Sequence, residues 1–106
     1  MSLDRSGNQP LRRSIRLTAL ADQDLEDIFE YSVRTWSVQQ AEIYFSQIMT
    51  ALIALANNER TYQPVSVRSG YFKTRIGLHF VIFKITPHEI DVIRILHSRM
   101  DVDRHL

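Results

Sequence analysis

Lys73, Arg75, His79, Lys84, Arg94, His97 and Arg99 are the side chains whose types could act on a phosphodiester or hold an anion. Cleavage of RNA by its own 2′-hydroxyl needs a base, an acid and a cation for the phosphorane, and a His, a Glu or Tyr, and an Arg can fill those roles. Arg75 and His97 are the available pair. Period-two alternation puts Tyr71, Lys73 and Arg75 on one face of their strand and, without a bulge, separates Arg94 from His97. The competing assignment is structural: Arg75 hydrogen-bonds carbonyls at a sheet edge, and His97 simply ends a strand. Stronger catalytic patterns are absent, with no Walker loop, dinucleotide fingerprint, nucleophile elbow or His-Glu-x-x-His helix. Three glycines make a phosphate cradle of backbone amides a poor expectation, and zero cysteines remove disulfides and thiolate metal sites. Neither a metal nor a cofactor is expected.

Three strand-like stretches must position these residues: Tyr71 to Ile76, Leu78 to Thr86 and Ile90 to His97, separated by Gly77 and "TPHE". Connections this short imply an antiparallel meander. "LHFVIFKI" is apolar on both faces, so it should be the central strand. Upstream, "SIRLT" alternates Ile15 and Leu17 with polar residues, as a short edge strand does. Leu25, Ile28, Phe29, Ser32 or Val33, and Trp36 form a helical stripe, with Asp22, Asp24 and Glu26 near its N-terminus. Ser37 followed by Gln40 fits a capping box that starts a second helix, lined by Ala41, Tyr44, Phe45, Ile48, Leu52, Leu55 and Ala56 and ended by Asn57 and Asn58. The fold class is α+β: a short N-terminal strand, an antiparallel helical hairpin and a three-stranded antiparallel meander. Ile43, Met49 and Ile53 lie beside or beyond the main stripe of the second helix. That extra apolar surface either packs within the fold or forms a groove for a partner segment.

A chain of 106 residues suits one domain. Residues 1–13 are polar and aperiodic and read as a flexible leader to a domain spanning 14–106. No apolar run is long enough to span a bilayer, so no membrane association is expected and the location expected is cytoplasmic. Charge is uneven: residues 1–19 carry four Arg against one Asp, 20–58 one Arg against six acids, and 59–106 eight Lys/Arg against five acids plus all four His. Such asymmetry accompanies binding of nucleic acid or an acidic partner, or only keeps the surface soluble.

The stretch "GLHFVIFKITPHEIDVIRILHSRMDVDRHL", preceded by two helices and a lone Arg75, resembles the ParE branch of the ParE/RelE toxin superfamily, the toxins of type II toxin–antitoxin modules and of plasmid stabilisation. Its most telling part is Val92 to Leu106, a strand ending in Arg-x-Leu-His, then Arg-Met-Asp and a terminal His-Leu. The resemblance covers residues 14 to 106. It implies a sheet clasped by a helical hairpin and inhibition of DNA gyrase, trapped on cleaved DNA. The RelE branch, which cuts mRNA in the ribosomal A site, carries a dense Lys/Arg set and a catalytic Tyr, Glu or His near the last strand. Here no Tyr follows Tyr71, and Tyr62 comes too early. Arg75 and His97 remain the residues a ribosome-dependent nuclease would use. On the ParE reading, Arg94, His97, Arg99 and Arg104 form the target-binding surface, Met100, Val102 and Leu106 anchor the tail, and a cognate antitoxin lies across the hairpin and sheet at Ile43, Met49 and Ile53. A plain C-terminal cap, or an interaction module without toxicity, are the other readings.

Overall fold

A computed structural model describes residues 12–106. Strand β1 (Ser14–Leu17) leads into helices α1 (Ala19–Thr35) and α2 (Val38–Ala56), followed by β2 (Gln63–Pro64), β3 (Phe72–Ile76), β4 (His79–Ile85) and β5 (Glu89–His97), and a short 3-10 turn, Val102–His105. The sheet order is β1-β5-β4-β3-β2, with β1 parallel to β5 and the other pairs antiparallel. The α+β class, the edge position of β1 and the central β4 agree with the sequence reading. The connector differs: Gln63 and Pro64 pair with Lys73 and Phe72 and add a fifth strand. Two residues carry no period, and Pro is tolerated there because this is a sheet edge.

The leader assignment falls mostly outside the described residues. Arg13, its last residue, is tied down: its backbone N–H donates to Ala56 O at 3.2 Å, and its guanidinium to Thr86 O at 2.7 Å and Asn58 Oδ1 at 3.0 Å.

Helix α1 starts earlier than the stripe at Leu25 suggests, because Thr18 caps it by accepting from Ala21 N–H at 3.1 Å. Trp36 sits at the C-cap and is exposed, so Ser32 is the buried end of the stripe. Ser37 caps α2, accepting from Gln40 N–H at 3.0 Å, and Asn58 closes it with φ 60°. Between hairpin and sheet, Leu25, Ile48, Leu52, Leu55, Val81, Phe83, Ile90, Val92 and Ile95 form the main core. The other sheet face carries a smaller cluster, Val65, Ile82, Leu96 and Val102, with Tyr71, Phe80 and Leu106 against it.

Strand β5 contains a bulge. Ile82 stands opposite Arg94 and Phe83 opposite Val92, leaving Ile93 as the extra residue. Ile90 and Val92 face the helices before it, and Ile95 and His97 after it. This phase change explains why the strand reads as almost continuously apolar.

At the bulge the edge of β5 passes from β1 to α1. Thr18 Oγ1 donates to Ile93 O at 2.8 Å; Asp24 accepts from Ile95 N–H at 2.9 Å and from the Arg94 guanidinium in two bonds, 2.8 and 3.0 Å. Asp24 thus takes the place of a strand partner. We expect Asp24→Ala to cost about 2–3 kcal/mol in urea unfolding, because Arg94 and the Ile95 N–H lose their acceptor together. Arg94→Ala should cost about 1 kcal/mol less, since Asp24 keeps the amide. Equal and small losses would show that the clamp contributes no more than a surface ion pair.

Candidate functional site

A groove of about 880 Å³ opens where the hairpin meets the ends of β3, β4 and β5. One wall is α1, with Ile28, Tyr31 and Ser32, running to Trp36; α2 adds Ile43 and Tyr44; the β3–β4 turn adds Leu78, and the chain after β5 adds Met100. Tyr31, Trp36, Ile43, Leu78 and Met100 are all exposed although large and apolar. Tyr31 and Trp36 meet edge to face at 6.3 Å. So much apolar surface gathered in one concavity is what a partner segment fills.

The groove floor is held by Tyr44. Its hydroxyl lies 3.0 Å from Ile76 O, 3.1 Å from Leu78 N and 2.6 Å from His79 Nδ1. The amide donates to the phenol oxygen, and the single phenol proton goes to the carbonyl or the imidazole. Gly77 makes this approach possible: its φ is +54°, and a Cβ there would lie 2.7 Å from Tyr44 Cε1. Burial pushes the Tyr44 phenol up, against smaller lowering by the Leu78 amide and Arg75.

His79 and His97 are paired across β4 and β5, rings 5.2 Å apart. His97 Nδ1 accepts from Arg99 N–H at 3.1 Å, so the neutral ring carries its proton on Nε2. Burial first, then the neighbouring His97, lowers His79 from 6.5 to about 4, against a smaller upward pull from Asp24. Tyr44 and His79 are therefore both neutral at physiological pH, and with His97 beside them they floor the groove.

The residues expected to do chemistry do not converge. Arg75 is paired with Phe80 and Phe80 with Leu96, whereas Ile76 is paired with His79 and His79 with His97. Arg75 and His97 thus occupy opposite faces of the sheet. Arg75 Nε donates to Gly77 O at 2.9 Å, the sheet-edge role. Tyr62 packs on Phe72 and Phe83, at 5.1 and 5.4 Å between centroids. Among the described residues no three His, Cys, Asp or Glu are grouped to hold a metal, and no helix is long and apolar enough to cross a membrane.

The four residues assigned to target binding also separate. Arg94 is neutralised by Asp24, with side chains 21% and 13% exposed; His97 faces the groove. Arg99 and Arg104 are exposed, and Arg104 makes a long 3.6 Å contact with Asp101. Of the tail anchors, Val102 and Leu106 do fold back onto the second cluster, while Met100 lines the groove. Of the three residues assigned to antitoxin, Ile43 lines the groove, Met49 packs against the main core, and Ile53 is exposed away from the groove-lining residues. Sequence reasoning missed Tyr44 as part of a site, because its stripe position looks like core. Gly first in a two-residue hairpin was the available signal for a close approach.

The sequence family described as the ParE toxin of the type II toxin–antitoxin system parDE matches residues 15–102. Toxin ParE1 of Mycobacterium tuberculosis is 38% identical over 92 residues, covering 85% of this chain and 94% of that protein. Toxin ParE1 of Caulobacter vibrioides is 33% identical over 92 residues, covering 86% and 95%. The solved chromosomal ParDE system of P. aeruginosa contains a chain of the same fold, with a TM-score of 0.69, 20% identity, and coverage of 81% of this chain and 96% of that one.

The depressed His79 has a measurable consequence. In the unfolded chain it protonates below about pH 6.5, in the folded protein only below about 4. Between those values the unfolded state binds more protons, so stability should fall as pH is lowered through the window. Thermal unfolding of His79→Gln should show a shallower fall than wild type over that range; an unchanged slope would show that His79 is already solvated.

Proposed function

The chain belongs to the ParE toxin family of type II toxin–antitoxin systems, and from that premise we propose that it inhibits DNA gyrase by binding and is neutralised by a cognate antitoxin seated in the groove. The observation that carries this reading is the separation of Arg75 and His97 onto opposite sheet faces. A ribosome-dependent nuclease would need both on one phosphate. The open concavity offers apolar and aromatic contact instead. A segment whose apolar side chains cover Tyr31, Trp36, Leu78 and Met100 would remove from water surface that the free toxin leaves exposed. Amphipathic antitoxin chain is the occupant that fits. Arg99 and Arg104 offer exposed charge to the target, on a tail anchored by Val102 and Leu106.

That anchoring changes how the tail is tested. Deleting Arg99 to Leu106 would expose Ile82 and Leu96, so point variants are the cleaner probes. Purified protein should block gyrase supercoiling, antitoxin should restore it, and mRNA on ribosomes should stay intact. Arg99→Ala with Arg104→Ala should weaken the block without shifting thermal stability. Cleaved transcript with gyrase untouched would overturn the reading.

The groove makes a separate forecast. Ile43→Asp and Leu78→Asp should weaken antitoxin binding on the order of tenfold or more with circular dichroism preserved, since both side chains are already exposed. Met49→Asp should unfold the domain, because it puts a charge against the core. Full affinity in the first two variants would place the antitoxin elsewhere.

A further inference from the structure

Between Glu59 and Glu89 the chain holds no acidic residue and five cations: Arg60, Arg68, Lys73, Arg75 and Lys84. The fold turns much of this charge one way. Lys73 pairs with Ile82 and Arg75 with Phe80, which places both on the sheet face away from the hairpin, and Lys84 follows Ile82 on that face by alternation. Arg68 joins through Tyr71, whose ring has the Arg68 guanidinium and Lys84 Nζ each 5.3 Å from its centroid. Phe80 is covered in the same manner by Lys73 at 5.0 Å and Arg75 at 5.8 Å. Arg60, Tyr62, Lys73, Arg75 and Phe80 line one hollow of about 850 Å³, with Glu59 as the one acid in its lining. Among the described residues none of the five cations is in an ion pair. The acids of the strands, Glu89 and Asp91, share this face but lie at its β5 border, in register with Ser14 and Arg16 of β1, Asp91 being the cross-strand partner of Lys84.

We propose that this face binds the backbone of duplex DNA. Three features select that occupant. A row of unpaired cations without interspersed acids on β3 and β4 complements a polyanion, and release of condensed counterions rewards even sparse contacts. Single strands bind by stacking successive bases on open aromatic rings, but Tyr71 and Phe80 already have cations over them, and Tyr62 alone in the hollow does not make a track for a run of unstacked bases. An acidic peptide would need apolar anchor sites to rise above exposed ion pairs. The apolar ground of this face, Ile82 and Leu96, is covered by Val102 and Leu106. The inference does not depend on gyrase being the target, since the contact is between this chain and DNA alone.

The test is fluorescence anisotropy of a short labelled duplex with the full chain across a salt series. Binding at low salt should weaken with a slope of log Kobs against log salt of about −3 to −4, as for three or four neutralised phosphates. Lys73→Ala, Arg75→Ala and Lys84→Ala should each flatten the slope by about one and weaken binding uniformly across sequences. Lys84→Arg should keep the slope, which separates loss of charge from loss of packing on Tyr71. Arg34→Ala, on α1, should change nothing. No binding at low salt, unchanged slopes in all three alanine variants, or equal or tighter binding of a single strand or of polyglutamate would overturn the proposal.

Discussion

Strand β5 is the longest strand of the sheet, and past Val92 its outer edge has no strand beside it among the described residues. The edge is satisfied by α1 instead: Thr18 takes the carbonyl of Ile93, and Asp24 takes the amide of Ile95 together with the Arg94 guanidinium. An unpaired edge in this position would leave backbone groups exposed to chance pairing. Closing it with a helix ties the first turns of α1 to β5 and leaves the rest of the helix beside the end of the sheet. Ile28, Tyr31 and Trp36 follow Asp24 along α1 and become a wall, with a groove between them and the sheet.

The bulge at Ile93 completes the arrangement. Without the extra residue, Ile95 and His97 would point away from the hairpin and Arg94 toward it. With it, Ile95 enters the main core and His97 meets His79 at the groove floor. The second support is Tyr44, which reaches from α2 to the β3–β4 turn and can do so only because residue 77 has no Cβ. Groove and core are thus one construction. The same bulge leaves Arg94, by alternation on the far face, free to wrap round the bare edge to Asp24, so a residue that looks like a recognition cation is spent on holding the fold.

Much of this was legible in the sequence. Alternation at Ile15 and Leu17, the stripe through Ile48, Leu52 and Leu55, the Ser37 cap and the doubly apolar "LHFVIFKI" fix the α+β order and the central strand, because each is a local periodic signal that tertiary packing here reinforces. The two-residue β2 left no such signal, and the start of α1 is set by a cap on Thr18 rather than by apolar spacing. The site was less legible. Opposite faces for Arg75 and His97 require cross-strand register, the neutralisation of Arg94 requires Asp24, 70 residues away, and the Tyr44–His79 contact spans 35 residues. Surplus apolar surface on α2 was read correctly as present, but Met49 is absorbed by the core and only Ile43 reaches the concavity. In the tail, Val102 and Leu106 cap the sheet and Arg99 and Arg104 stay in solvent, whereas Met100, expected as a third anchor, lines the groove.

The claim on which the account turns is that the groove between the second half of α1 and the end of the sheet is the surface that the antitoxin occupies. Amide hydrogen exchange of the toxin, free and in complex with its antitoxin, reads that directly. The account predicts added protection in the second half of α1, at the Gly77–Leu78 turn and from Ile95 to Met100. Protection confined to the outer face of α2 around Ile53, or to β2 and β3, with the groove segments unchanged, would contradict it.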